Sequence, residues 1–220
     1  MAEKRDIFVT GSTGFMGSAL STLLAGRGHR VRALVRRGSE KKAPAGCEVV
    51  LGVPTEASTF APAVAGADTF VQLVGVAHPN PSKAAEFREI DLVAANAGLD
   101  AAISAGVKHF VYVSVAQPAP VMKAYIAVRA DAEEAIRMSG LNATFIRPWY
   151  VLGPGRRWPL MLLPMYWILG AIPSTRESAQ RLGLVSREQM ISALAWSAEN
   201  PSTGVRILDV PAIRRTKLDH

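Results

Sequence analysis

Three glycines in the spacing G-x-x-G-x-x-G follow directly on a largely apolar segment, residues 7–10, near the start of the chain. A leucine-rich amphipathic segment comes next, so the glycines lie where a strand would turn into a helix. Gly11 suits the tight turn, Gly14 lets a diphosphate approach the backbone, and Gly17 lets the helix pack closely on its strand. Because the first N–H groups of a helix have no partner within it, this order predicts a diphosphate-binding site.

Strand-like and helix-like segments alternate along most of the chain. Runs rich in valine, isoleucine and phenylalanine predict strands at residues 7–10, 30–35, 48–51, 69–74, 110–114 and 144–147. The segments between them predict helices at residues 15–27, 55–64, 84–105 and 122–139, with glycines 28, 66, 106 and 140 as helix ends. Strands of nearly continuous hydrophobicity are typical of a parallel sheet covered on both faces. We therefore expect an α/β fold with a doubly wound parallel sheet that binds ligands at the carboxyl ends of its strands.

The chain has the length and composition of one soluble domain. Its 220 residues suit a single domain, and 49% hydrophobic with 20% charged residues is ordinary for a globular protein with a sizeable core. We expect one domain over residues 1–220, in which residues 149–220 form a small C-terminal substrate or lid region. The single cysteine, Cys47, excludes an intramolecular disulfide, and with four scattered histidines it provides no cluster of metal ligands.

The basic residues do not have the pattern of a nucleic-acid-binding surface. The net charge is +7, but no basic run with interleaved aromatic residues occurs, which argues against a nucleic-acid partner. A basic cluster after the second predicted strand suits a phosphorylated small molecule instead. Residues 3–6, which precede the first strand, are all charged and have no signal-peptide character, so we expect a cytoplasmic location.

Motifs further along the chain accompany the glycines. Residues 111–114 end a strand at Ser114, Tyr125 and Arg129 lie on the next predicted helix, and the segment 139–148 follows. Together with the glycine motif these residues resemble the extended and atypical short-chain dehydrogenase/reductases. The resemblance is to the NAD(P)-binding epimerase/dehydratase-like members, including NmrA-like proteins and relatives of a complex I accessory subunit, and it covers residues 5–155. It implies a Rossmann-type sheet of strand order 3-2-1-4-5-6 and an oxidoreductase-like function.

The resemblance also assigns the cofactor site. It implies a diphosphate loop made of Gly11, Ser12, Thr13, Gly14, Phe15, Met16 and Gly17. Val74 and Gly75, after the fourth strand, would form a wall of small residues beside the dinucleotide. Pro148 and Trp149 would lie near its nicotinamide end. In place of the Gly-Asp that relatives often carry near the adenine, this chain has Gly52 followed by valine, which puts adenine recognition by a carboxylate in doubt.

The residues after the second strand bear on the choice of dinucleotide. NAD-preferring relatives carry an acidic residue here that accepts hydrogen bonds from the ribose 2′-hydroxyl, whereas this chain has Arg36 and Arg37 and no acid before Glu40. Arginine binds phosphate with two parallel hydrogen bonds. We therefore expect a preference for NADP(H), with NAD(H) possible, and the alternative is that both arginines are solvated turn charges.

The catalytic residues match the family only in part. Family enzymes use a serine or threonine, a tyrosine and a lysine four residues after the tyrosine. A cation one helical turn away favours the ionised tyrosine, and Tyr125 and Arg129 have that spacing, but arginine is not equivalent to lysine at such a site. In one interpretation Tyr125 is the acid/base, Arg129 the cation and Ser114 the orienting hydroxyl. In the other, the site has diverged and the protein is a non-catalytic dinucleotide sensor or assembly factor.

An uncharged segment begins at Trp158 and ends at Ile172. It is shorter than the roughly 20 apolar residues that span a bilayer and is interrupted by proline. Three interpretations stay open: a core or lid helix over an apolar substrate, a dimer surface, or a peripheral membrane contact with flanking arginines on anionic lipid. The short C-terminal region argues against a nucleotide-sugar substrate and favours a small or apolar one, such as a quinone or carbonyl compound. His78 is a further candidate for the substrate pocket.

Overall fold

The computed structural model describes residues 3–77, 79–155 and 158–218 of the chain. The strands are β1 (Asp6–Thr10), β2 (Arg30–Val35), β3 (Glu48–Leu51), β4 (Thr69–Gln72), β5 (His109–Val113), β6 (Asn142–Ile146), β7 (Tyr150–Leu152), β8 (Leu184–Ser186) and β9 (Val205–Leu208). The α-helices are α1 (Gly17–Gly26), α2 (Ala84–Glu86), α3 (Val93–Ser104), α4 (Lys123–Met138), α5 (Leu163–Ala171), α6 (Pro173–Arg181), α7 (Arg187–Glu199) and α8 (Val210–Arg215). A π-helical turn, Phe87–Leu92, joins α2 to α3.

Seven of these strands form one parallel sheet in the order β3-β2-β1-β4-β5-β6-β9. The predicted Rossmann-type order of the first six strands is confirmed, and β9 adds a seventh strand at the β6 edge. The remaining strands, β7 and β8, pair with each other in a small parallel sheet. Because all seven strands run in the same direction, the loops that follow β1, β2, β4, β5 and β6 emerge at one edge.

The predicted helix at residues 55–64 is wrong. That segment forms two 3₁₀ turns, Ala57–Thr59 and Ala61–Val64, separated at Phe60, whose φ of −139° is not helical. Pro62 lies inside the segment and has no N–H to donate to a longer α-helix. The predicted helix ends fare better, since Gly28, Gly106 and Gly140 each follow a helix and have φ between 67° and 89°.

The core has two halves, one on each face of the sheet. On one face, the register aligns Phe8 of β1 with Phe70 of β4 and Phe110 of β5, and their rings stack at centroid distances of 5.3 and 5.1 Å. Helices α3 and α4 cover this face. On the other face, aliphatic side chains of the same strands pack against α1, α7 and α8.

The C-terminal region contributes to both the sheet and the site. Helix α7 begins with a capping box, in which Ser186 and Gln189 satisfy each other's backbone N–H groups. At the other end of α7, Glu199 accepts hydrogen bonds from Arg27 and His29 at the end of α1. Residues 187–218 are thus part of the main body, whereas β7 and β8 pair in a separate small sheet. Within the described ranges, no helix has both the length and the apolar character needed to cross a bilayer.

His109, the first residue of β5, supplies a pH test of this packing. Its side chain is fully buried, with Nε2 3.0 Å from Thr144 Oγ1. Burial, with the positive charges of Arg206 and Arg5, lowers the pKa of His109 from its ordinary 6.5 to about 4. The unfolded chain therefore binds this proton more readily than the native protein between those two pH values, so acidification through that range favours unfolding.

We expect the free energy of unfolding to fall by up to about 3 kcal/mol from this residue as the pH drops from 6.5 to 4. His109→Gln should show a shallower decline over the same range, measured by urea denaturation at a series of pH values. Equal slopes for the two proteins would show that His109 has the same pKa in the native and the unfolded state.

Candidate cofactor and active site

In the glycine loop, Gly11 and Gly17 have close backbone neighbours, whereas Gly14 faces more open space. Gly11 has a φ of 66°, and a Cβ added to Gly17 would lie 2.1 Å from the Gly11 carbonyl oxygen. A Cβ on Gly14 would meet only that same oxygen, at 3.1 Å. Ser12 Oγ donates to the Leu34 carbonyl oxygen at 2.7 Å and ties the loop to β2. The space over Gly14 therefore fits a diphosphate, and a methyl group on Gly14 would narrow it. We call this space the cradle.

Helix α1 begins beside this cradle with Met16 at its N-cap position and no side-chain cap. Uncapped N–H groups of a first turn attract anions, which matches the predicted role of the loop. The Phe15 ring packs beneath Arg187, whose Cζ lies 4.8 Å from the ring centroid and whose Nε donates to the Phe15 carbonyl oxygen at 2.9 Å. A Cβ on Gly153 would lie 2.5 Å from the same ring. Phe15 thus anchors the loop to the C-terminal region.

Arg36 and Arg37 lie at the same edge of the sheet. They follow β2 directly, two and three residues after Leu34, the residue to which Ser12 is bonded. Both arginines are exposed, and within the described parts of the chain neither side chain has an ion pair or hydrogen bond. Their guanidinium groups are available to an anionic ligand beside the glycine loop.

Arg129 is buried at the centre of a polar network. Only 5% of its surface is exposed, and it donates to Asp91 Oδ2 at 2.9 Å, to the Val113 carbonyl oxygen at 2.9 Å and to the Tyr112 hydroxyl at 3.2 Å. Its terminal nitrogens are thereby committed to the protein. Lysine, with one nitrogen, does not offer this fork of donors.

Asp91 lies in the π-helical turn and is fully buried. Its second oxygen accepts from the Val76 backbone N–H at 2.6 Å, and a Cβ on Gly75 would lie 2.5 Å from Arg129 Nη2. Burial raises the pKa of the Asp91 carboxyl above its ordinary value, while Arg129 and the Val76 amide oppose that rise. Gly75, one of the two residues of the predicted cofactor wall, therefore lies directly against the ion pair.

Tyr125 is half-buried, and its ring lies between two neighbours. The Arg129 Cζ is 5.0 Å from the ring centroid, and Phe87 meets the ring edge at a centroid distance of 4.9 Å. The guanidinium thus packs over the face of the ring. Ser114 is buried at the end of β5, next to the Val113 carbonyl that Arg129 binds, and its Oγ has no partner among the described residues. The structure brings Tyr125, Arg129 and Ser114 into one neighbourhood, and their catalytic roles stay predictions.

An apolar cavity of about 690 Å³ is lined in part by the loops that follow β5 and β6. Pro148 is buried, and its carbonyl oxygen accepts from the Ala116 N–H at 2.9 Å, which joins the loops after β5 and β6 at the cavity's edge. The cavity is lined by Pro118, Ala119, Pro120, Val121, Trp149, Tyr150, Leu162, Leu169, Thr175, Ser178, Ala179, Arg181 and Leu182. Its size is that of a small-molecule site, and among the described residues that line it Arg181 alone is charged.

Some site residues lay beyond the reach of sequence reasoning, and some candidates are outside the described part of the chain. Asp91 and Arg187 carry no local motif, and each is identified only by a long-range contact, to Arg129 and Phe15 respectively. His78, predicted for the substrate pocket, lies outside the described residues, as do Arg156 and Arg157.

Residues 11–156 match a family model described as NAD(P)H-binding. The chain belongs to this NAD(P)H-binding family. The predicted nicotinamide dinucleotide is confirmed at that level, and the match begins at Gly11, the first residue of the glycine loop.

The chain is similar to a named reductase and a named epimerase, and a solved structure shares its fold. The chain is 27% identical over 214 residues to a ceramide reductase of Caulobacter vibrioides, covering 95% of this chain and 65% of the reductase. It is 27% identical over 217 residues to an uncharacterized sugar epimerase, YhfK, of Bacillus subtilis, covering 93% of this chain and 92% of that protein. The Bordetella bronchiseptica enzyme WbmH in complex with NAD⁺ has the same fold, with a TM-score of 0.70 and 18% identity over 94% of this chain and 76% of that one.

The different surroundings of the three loop glycines give a test of the cradle. Gly14→Ala should fold normally but bind NADPH at least about tenfold more weakly, because its methyl group occupies the diphosphate space. Gly17→Ala should lower the melting temperature, because its Cβ clashes with the Gly11 carbonyl. Thermal melts and calorimetric NADPH titrations measure both effects.

Gly26→Ala is the matched control. It adds a methyl group at the other end of α1, where nothing lies within 4 Å, so it should leave NADPH binding unchanged. Wild-type affinity in Gly14→Ala would place the diphosphate elsewhere.

Proposed function

We propose that this protein is an NADPH-dependent oxidoreductase that reduces a carbonyl group on an apolar, lipid-like substrate. The observation that carries the proposal is the apolar cavity, whose lining includes the loops that follow β5 and β6 at the carboxyl edge of the sheet. In an open α/β sheet this edge is where the cofactor and substrate meet. The first loop of the cavity, residues 118–121, leads directly into the helix that carries Tyr125.

The chain's own groups fit a carbonyl reduction. NADPH, when bound, supplies a hydride. Tyr125 donates a proton to the carbonyl oxygen as the alcohol forms, and the buried Ser114 hydroxyl, which has no partner among the described residues, orients that oxygen. Arg129 acts as a positioning residue, because its nitrogens bind Asp91, Tyr112 and a backbone carbonyl while its guanidinium holds the Tyr125 ring.

The cavity lining favours an apolar substrate over a nucleotide sugar. A nucleotide sugar carries two phosphates, which need cationic partners. Arg181, the one cation among the described lining residues, is already bound to the Pro118 carbonyl oxygen at 3.3 Å and to Ser178 Oγ at 3.2 Å. Of the relatives described above, the ceramide reductase agrees with this cavity better than the sugar epimerase does.

The preference for NADPH is proposed from Arg36 and Arg37. Each is exposed beside the glycine loop, where the adenosine ribose of a bound dinucleotide would lie. A 2′-phosphate would gain charge-assisted hydrogen bonds from both guanidinium groups. Nothing in the segment between β2 and Glu40 offers a carboxylate to a 2′-hydroxyl.

A second candidate, a non-catalytic dinucleotide sensor, is favoured by one observation. Arg129 stands where family enzymes have lysine, and its burial against Asp91 keeps its nitrogens from a substrate or ribose. The oxidoreductase and the sensor would both bind the dinucleotide, and only the oxidoreductase would oxidise NADPH with a substrate.

A measurement of NADPH oxidation distinguishes the oxidoreductase from the sensor. With a long-chain 2-alkanone or an isoprenoid quinone as substrate, we expect turnover, and with UDP-glucose none. Tyr125→Phe should lower kcat by about a hundredfold or more while leaving the NADPH dissociation constant unchanged, because it removes only the proton donor. NADPH binding without oxidation by any carbonyl or quinone would support the sensor instead.

The arginine pair makes a separate prediction about cofactor choice. The double variant Arg36→Ala/Arg37→Ala should weaken NADPH binding by roughly 10- to 100-fold and change NADH binding by less than about threefold. Arg215→Ala, an exposed arginine on α8, controls for the loss of surface charge. If wild-type protein binds NADH as tightly as NADPH, the 2′-phosphate has no partner at these arginines.

A further inference from the structure

Helix α5 and the turn before it, Trp158–Leu162, present apolar side chains in two directions. Leu162 and Leu169 point into the cavity. Met161, Trp167 and Ile168 point away from it and expose 84%, 74% and 63% of their surface. We call these last three the outer apolar face. Leu160 and Ile172 flank it and are 41% and 44% exposed.

The outer apolar face is unusual because it is concentrated. Single exposed hydrophobic residues are ordinary, but neighbouring ones that include a tryptophan mark a surface that another apolar phase covers. The face is carried by a helix of nine residues, too short to cross a bilayer and long enough to lie along its surface.

The charges that flank the face in the sequence favour one kind of surface to cover it. From residue 148 to residue 176 the sequence has no aspartate or glutamate and three arginines, Arg156, Arg157 and Arg176. Arginines that flank exposed tryptophan and aliphatic side chains in the sequence complement an anionic lipid surface, where the rings lie among the headgroups and the cations on the phosphates. A symmetric contact between two copies would instead bring these like charges together.

We propose that the outer apolar face docks the protein on an anionic lipid bilayer. The face and the cavity share one helix, so the docked protein holds its cavity against the membrane. The docking does not depend on the proposed reaction, because it is carried by the surface alone.

Flotation with lipid vesicles tests the proposal without any substrate. Wild-type protein should float with vesicles of phosphatidylcholine and phosphatidylglycerol, and roughly tenfold less with phosphatidylcholine alone or in 0.5 M NaCl. Met161→Gln/Trp167→Gln/Ile168→Gln should reduce flotation on the anionic vesicles by about tenfold or more. The single variant Trp167→Gln should show a several-fold loss and serves if the triple variant does not fold.

The control is Ile103→Gln/Met138→Gln, which removes exposed apolar side chains from α3 and α4 and should float as the wild type does. NADPH binding and light scattering are measured on every variant to verify folding and oligomeric state. Absence of wild-type flotation on anionic vesicles, or equal flotation of the wild type and the folded triple variant, would overturn the proposal. A wild-type dimer that the triple variant dissociates, with no flotation of either, would assign the face to a second copy.

Discussion

The buried ion pair between Arg129 and Asp91 links the parts of the active region. Through it, α4 is connected to the π-helical turn, to the carbonyl at the end of β5 and, by way of the Val76 amide, to the loop after β4. A buried ion pair adds little net stability, because desolvation offsets the attraction, but removing one partner typically costs about 3–5 kcal/mol. Its consequence here is geometric, since the backbone at Gly75 and the ring of Tyr125 both lie against one guanidinium.

Local signals were enough to predict most of the fold. The strands of the large sheet have continuous hydrophobicity, the glycine loop lies between a strand and a helix, and Gly106 and Gly140 end helices at positive φ. The segment at 55–64 was wrong because composition favoured a helix while Pro62 and the backbone at Phe60 broke it into 3₁₀ turns. The π-helical turn could not be predicted from local sequence. It directs Asp91 inward toward Arg129, which lies 38 residues away in the chain.

In the candidate site, too, local sequence predicts some features and long-range contacts decide the others. The spacing of Tyr125 and Arg129 predicts a shared helix face, and their side chains do lie in contact. Whether that arginine contacts a ligand or the protein depends on Asp91, Tyr112 and Val113, none of which adjoins it in the sequence. Arg187 is a similar case, because it holds the glycine loop from 172 residues away. Motifs thus identify the groups of a site, and long-range contacts decide what each group is free to do.

Helix α5 connects the cavity to the protein's surface. A helix that is apolar all round is normally buried on every side. Here Leu162 and Leu169 face an apolar cavity, while Trp167 and Ile168 face outward. If the outward side of the helix lies on lipid, both of its sides therefore contact apolar surroundings. A lipid-like molecule would then pass from one side to the other around a single helix, and its apolar chain would not have to enter water.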